Sequence, residues 1–209
     1  TTKRLPMAFS KWFFSHWYEI LNGIVEPKII PHRRSTAGQC NGATLEVGAG
    51  SGLNLPYFKT NRAITLVEPD KYMRAKLKKR LSEFPNVELL EDRGEDLTSP
   101  SNSFDSVVST LVLCMVDDVD QVVSEIYRVL KPGGKFYFYE HVVAKSTVGK
   151  IFQGILDPMW RCLTTGCHLR RDILDVIYSK DFSEVSCCEF PIRIGPFPSI
   201  PNVVGYCIK

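Results

Sequence analysis

The chain has 209 residues, 44% hydrophobic and 23% charged, which is ordinary globular composition and enough for one well-buried α/β domain. Its net charge of +3, from 26 basic and 23 acidic residues, is too small to imply a nucleic-acid partner, and no apolar run reaches the length of a membrane span. Seven scattered cysteines with no CxxC pair fit reduced, cytosol-facing thiols rather than a disulfide framework. Cys162, Cys167 and His168 match no familiar zinc spacing, so no metal is expected.

The first residue is Thr1, which leaves room for an upstream targeting or anchor segment. Met7–Val25 places Phe9, Trp12, Phe13, Trp17, Ile20, Leu21 and Ile24 on one helical face, with Lys3, Arg4 and Lys11 nearby. Two readings stand: a helix packed on the core or over a pocket, and a helix making peripheral contact with a membrane surface. Residues 1–42 are therefore expected to be a helical cap or lid, and 43–209 the main domain.

Ala43–Val47 is a short apolar run ending in glycines, a buried strand. Ala63–Glu68 is a second strand, Asp70–Glu83 a helix, Val87–Glu91 a third strand and Phe104–Thr110 a fourth. Asp118–Leu130 sets six aliphatic residues on one helical face. "KPGG" (Lys131–Gly134) ends that helix, because Pro cannot continue it and Gly permits positive φ. Lys135–His141 is an aromatic fifth strand. This alternation implies a parallel sheet with right-handed crossovers. Lys150–Leu163 and Arg170–Ser179 read as helices, and Phe182–Phe190 with Asn202–Ile208 as an antiparallel hairpin. The expected fold is a Rossmann-like, seven-stranded, mostly parallel sheet with helices on both faces and a C-terminal antiparallel hairpin.

The chemistry starts at "TLEVGAGSGLNL" (Thr44–Leu55). A triphosphate loop needs GxxxxGK[ST], and here Gly52 is followed by Leu53 and Asn54. A dinucleotide loop wants GxGxxG, and here the spacing is GxGxG. Alternate glycines still let backbone approach a ligand closely. Glu46 at the loop entrance repels pyrophosphate and attracts an ammonium group. Glu68, twenty positions after Gly48, suits both ribose hydroxyls. The ligand is a ribonucleoside with a positive charge and no phosphate, as S-adenosylmethionine is.

"LEVGAGSGLNLPYF", "VEPD", "VVSTLVLCMV" and "EIYRVLKPGGKFYFYEHV" together resemble a class I S-adenosylmethionine-dependent methyltransferase from about Ala43 onward. Within that class, "TLVLCMV", "RVLKPGG", "YEHV" and the lid-like "DPMWRCLTTGCHLRRD" resemble the microsomal alkyl-thiol S-methyltransferases. The resemblance implies that S-adenosylmethionine is bound and S-adenosylhomocysteine released. By motif position, Glu46 meets the methionyl amino group, directly or through water. Gly48, Ala49, Gly50, Gly52 and Asn54 belong to the loop beneath the cofactor. Glu68 takes the ribose hydroxyls, and Pro69 and Met73 pack near the adenine. Gly94, Glu95 and Asp96 form the adenine loop. Arg93 stands where many relatives have Asp, so backbone at Gly94 and Glu95, or the Asp92 or Asp96 side chain, is expected to serve instead. Thr110 and Leu111 flank the methionine moiety. Relatives commonly carry an N-terminal anchor, which implies a cytoplasmic location or the cytosolic face of the endoplasmic reticulum or lipid droplets.

His141 is the candidate catalytic group, either raising the thiolate fraction of an acceptor or orienting the lid. The place after the fourth strand reads "TLVLCMV" and lacks the [DNS]-P-P-[YFW] clamp of amide and adenine N-methylases. Leu113, Met115, Phe152, Met159 and Trp160 are expected to wall an apolar acceptor pocket, with Cys114 in its wall. The acceptor is thus a small hydrophobic molecule, a thiol first. A lipid or quinone-type acceptor is the alternative, since phospholipid N-methyltransferases resemble the "LNLPYF" neighbourhood. A non-catalytic binding module is disfavoured by the intact Glu46, glycines and Glu68. The basic run Lys71–Arg80 reads as a solvated helix face rather than an RNA patch.

Overall fold

A computed structural model describes residues 23, 25–59, 63–164, 166–193 and 199–209, the side chain of residue 163 aside. Most of the expected N-terminal aromatic helix lies outside these residues. The first described element is a helix over residues 25–35, α1, beyond the end expected for that helix.

The remaining elements follow in chain order. They are β1 (Thr44–Val47), β2 (Ile64–Val67), α2 (Lys71–Leu81), β3 (Val87–Leu90), β4 (Phe104–Thr110) and α3 (Val119–Val129). After them come β5 (Leu130–His141), α4 (Thr147–Leu163), α5 (Ile173–Tyr178), β6 (Glu184–Ile192) and β7 (Ile200–Ile208). The strands form one sheet in the order β3-β2-β1-β4-β5-β7-β6. β1 to β5 run parallel, and β7 pairs antiparallel with β5 and β6. This is the expected fold. The order reverses between β1 and β4, and in open α/β sheets a ligand crevice forms at such a switch point, beyond the carboxyl ends of the strands.

Strand alternation splits the core in two. Leu45, Val47, Val107, Phe136 and Phe138 face α3 and α5 through Val122, Ile126, Val129, Ile173 and Ile177. Leu66, Val108 and Tyr137 face the other way, toward Leu77 of α2 and Leu55 and Phe58. β1 is buried along its whole length, as a strand covered on both faces must be.

Helix starts are set by side-chain caps. Asp70 Oδ1 accepts from the Tyr72 and Met73 amides, Asp118 Oδ1 from Gln121, and Ser146 Oγ from Gly149. The Ser146 cap starts α4 at Thr147, three residues before the expected Lys150. β5 likewise begins at Leu130 rather than Lys135. Leu130 already pairs with Phe104, and the register then shifts through the KPGG turn, where Gly133 has φ +75°. No helix among the described residues is long and apolar enough to cross a membrane.

Candidate active site

A cavity of about 790 Å³ opens at the switch point, within the range of small-ligand sites. β1 delivers Val47, Gly48 and Gly50 to its wall, and β2 delivers Glu68, Pro69, Asp70 and Met73. Gly94 and Glu95 follow β3, Thr110 and Leu111 follow β4, and His141 closes β5. Val25 and Ile29 of α1 complete it.

Gly48 has φ +68°, and a Cβ there would lie 2.5 Å from Val112 Cγ1. At Gly52, with φ +83°, a Cβ would sit 2.6 Å from Leu77 Cδ1. A side chain at either position would push the loop off the sheet end. The Gly50 amide donates to Glu68 Oε2 (2.7 Å) and the Asp70 amide to Glu68 Oε1 (2.8 Å). One carboxylate thus holds together the glycine loop and the start of α2. Burial pushes the Glu68 carboxyl up against these donors.

Glu46, Ala49, Gly52, Asn54 and Asp96 do not border the cavity. Glu46 is buried behind Val47 and Gly48, 2% exposed. Its Oε1 accepts from Asn54 Nδ2 (2.8 Å), which also donates to Thr110 Oγ1 (3.0 Å). Its Oε2 has no partner. Arg33 of α1, also buried, donates to Asn54 Oδ1 (2.8 Å) and to both Glu26 carboxylate oxygens. Nothing in "PHRRST" marks Arg33 for this role, and the sequence reading missed it.

Burial drives the Glu46 carboxyl from an ordinary 4.5 up to about 8, opposed by the Asn54 hydrogen bond and the Arg33 charge. The folded chain therefore keeps a proton that the unfolded chain releases between about pH 4.5 and 8. The protein is expected to lose stability as pH rises through that window, by up to about 1.4 kcal/mol per pH unit for this one proton. Thermal melts from pH 5.5 to 8.5 check this: Glu46→Gln should flatten the slope, and an unchanged slope refutes the assignment.

Five carboxylates border the cavity (Glu68, Asp70, Glu91, Glu95 and Asp117) against one guanidinium, Arg93. Arg93 is itself paired with Glu95 and Asp117. Such a field favours a cation and disfavours phosphate. With the side-chain-free approach at Gly48, these carboxylates fit a cationic ribonucleoside. Asp92 Oδ2 instead accepts from the Thr98 amide and hydroxyl.

His141 borders the cavity, and burial lowers its pKa to about 4, so the imidazole is neutral near pH 7. The β5–β7 register puts it opposite Asn202, and Nδ1 lies 3.0 Å from Asn202 Oδ1. Asn202 Nδ2 donates to the Ile200 carbonyl (2.7 Å), which fixes Oδ1 as an acceptor. His141 Nδ1 therefore carries the proton and Nε2 keeps its lone pair. Asn202 sits 61 residues away in sequence, beyond any local signal.

The expected acceptor pocket is corrected in part. Met115 and Trp160 border the cavity, whereas Leu113 is fully buried in the core. Phe152 and Met159 lie on the outer face of α4, 38% and 55% exposed. The helical period turns Gln153 inward instead, where it accepts from the Ala144 amide and donates to the Val142 carbonyl. Glu140, a second group the sequence reading passed over, is fully buried beneath the β4 end. A charged residue inside "YFYEHV" was its one visible signal.

The family described as "Methyltransferase domain" matches residues 45–138. The chain is 33% identical to human thiol S-methyltransferase TMT1A over 170 residues, 79% of this chain and 70% of that protein. It is 34% identical to rat thiol S-methyltransferase TMT1B over 180 residues, 82% and 73% of the two chains. The fold superposes on Haemonchus contortus phosphoethanolamine N-methyltransferase 2 in complex with S-adenosyl-L-methionine. That match has a TM-score of 0.69 at 16% identity, covering 88% of this chain and 52% of that one. Set beside a cavity built for a cationic ribonucleoside, these matches place the chain in the thiol S-methyltransferase family of S-adenosylmethionine-dependent methyltransferases.

Proposed function

We propose that the protein methylates a small hydrophobic thiol and that His141 Nε2 accepts a hydrogen bond from the thiol and positions its sulfur. The observation that carries this is the neutral imidazole in the cavity wall, held in one tautomer by Asn202. The names of the relatives support the same acceptor class. Bound S-adenosylmethionine supplies an electrophilic methyl group on a sulfonium. The chain's part is to place the acceptor and exclude water. In this reading Thr110, held by Asn54 and through it by Glu46, serves the methionyl ammonium, and Glu68 the ribose hydroxyls. Pro69 and Met73 flank the adenine beside the Gly94 and Glu95 backbone, and Leu111 faces the methionine chain. Residues before 43 act as a lid, through Val25 and Ile29 of α1.

The test is a methyl-donor assay across alkyl thiol, phenol, amine and phospholipid acceptors. The thiol should be methylated, with a rate rising toward the thiol's own pKa of about 8.5 and no inflection near 6.5, because His141 is already neutral. His141→Gln should lower kcat/KM by roughly 3–10-fold, the scale of one lost hydrogen bond, since a thiol is already partly ionised near neutral pH. Methylation of the phospholipid amine alone, or a flat pH profile, overturns the thiol reading in favour of a lipid or quinone-type acceptor.

We also place the enzyme at the cytosolic face of a membrane, which would deliver a hydrophobic acceptor. Supporting this, Val148, Ile151, Ile155 and Met159 form an exposed apolar row along α4. Flotation with anionic vesicles should retain the protein. Ile151→Asp with Ile155→Asp should release it, and unchanged retention overturns the α4 contact.

A further inference from the structure

Two thiols share the cavity wall with His141. Cys114 follows β4 and Cys167 lies in the turn after α4. Their Sγ atoms are 3.4 Å apart, the residues are 1% and 4% exposed, and both border the cavity. The backbone clamps the same two segments together. The His168 amide donates to the Cys114 carbonyl (2.8 Å), and Arg171 Nη1 donates to the Leu113 carbonyl (2.9 Å). Trp160 Nε1 is buried, faces the Cys167 sulfur and borders the same space.

The two sulfurs differ in character. The two thiols share one hydrogen bond; it and the Trp160 N–H draw the Cys167 thiol below its usual pKa, and it and burial push Cys114 well up. One is thus suited to attack and the other to resolve, the division of labour in thiol–disulfide exchange. Closing to a bonded S–S distance of about 2.05 Å needs an approach of roughly 1.4 Å.

We propose that Cys167 and Cys114 are a redox-active dithiol that reduces a small hydrophobic disulfide, the oxidised form of the acceptor class, inside the cavity. The inference rests on the thiol reading given above. Cys167 Sγ attacks one sulfur of RSSR, breaks its S–S bond, forms the Cys167–S–S–R mixed disulfide and releases RS⁻, which takes up the proton Cys167 lost. Cys114 Sγ then attacks the Cys167 sulfur, closes the Cys114–Cys167 disulfide and releases a second RS⁻ with the Cys114 proton. Two protein thiols are oxidised and the disulfide is reduced to two RSH, the form a methyl group can be transferred to. An external small-molecule dithiol restores the pair.

The experiment uses the reduced, desalted full chain, with one equivalent of a dialkyl disulfide and no methyl donor. Intact mass and released thiol are read. About 2 Da should be lost, a loss that dithiothreitol reverses, and about two thiols released per chain. Cys114→Ser should stall as the mixed disulfide, heavier by one RS group. Cys162→Ser, exposed on α4, should behave as the wild type. No thiol release from the folded wild-type chain overturns the proposal, whatever the variants do. A chain that methylates the free thiol but leaves the disulfide intact overturns the dithiol alone. One that reduces the disulfide but never methylates the thiol overturns the acceptor reading.

Discussion

Glu68→Ala should weaken S-adenosylmethionine binding by roughly 10²–10³-fold. The carboxylate is 6% exposed and accepts from the Gly50 and Asp70 amides, while its place in the cavity wall suits two ribose hydroxyls. Hydrogen bonds to a charged group contribute about 1.5–3 kcal/mol each, and about 1.4 kcal/mol is a factor of ten in affinity. Losing the ribose pair alone therefore reaches the lower bound, and loosening of the glycine loop adds to it. Glu68→Gln, which keeps one acceptor oxygen, should fall between the wild type and Ala. Lys78→Ala, on the exposed face of α2, should leave affinity unchanged. Calorimetry with S-adenosylmethionine decides the matter, and a dissociation constant for Glu68→Ala within threefold of the wild type sinks the assignment.

Glu140→Leu should lower stability by about 3–5 kcal/mol, the scale for leaving buried polar partners uncompensated. Oε1 accepts from Ser109 Oγ (2.7 Å) and from the Val112 and Leu113 amides (3.0 and 3.1 Å), and Oε2 accepts from the Cys114 amide (3.4 Å). Burial pushes the Glu140 carboxyl up, and these donors pull it back. No other group is placed to take over three convergent amides. The loop that Glu140 gathers starts at Leu111, whose φ of +58° costs of order 1 kcal/mol for a residue with a side chain and whose amide donates to the Tyr139 carbonyl. For a chain of this size the melting temperature should drop by roughly 6–20 °C, with Glu140→Gln less affected. Activity should fall further than stability explains, because the loop it gathers carries Thr110, Leu111 and Cys114 into the cavity. A melting temperature within 2 °C of the wild type contradicts the role.

Some of this was legible locally. Apolar runs closed by Gly, Pro and Asp marked every strand and α2 to α5, because burial on both faces of a parallel sheet demands near-continuous apolar sequence. The GxGxG spacing and the acid at the end of β2 pointed to the methyl donor, because each residue's requirement there is local: a positive φ, a close backbone approach, an acceptor at a strand end. A helical segment before residue 43 was expected, but the part α1 plays was not legible, since it passes through Arg33 to Asn54, a contact between segments with no shared periodicity. The α4 positions were half legible. Its amphipathic period showed that one face is apolar, but Phe152 and Met159 went to the wrong side, because the inward face is chosen by Gln153, Asp157 and Trp160 bonding or packing to segments before and after the helix.

The linear order of residues by itself determined the seven-stranded sheet, the glycine loop and the class of nucleoside it accommodates, since those depend on spacing along one strand, turn or helix. Only the tertiary structure decided what surrounds the transferred group. The β5–β7 register set the His141 tautomer through Asn202, Glu140 shaped the loop after β4, and the turn after α4 brought Cys167 within 3.4 Å of Cys114. Each of these is a hydrogen bond across tens of residues, and its energy depends on a distance that no local pattern encodes.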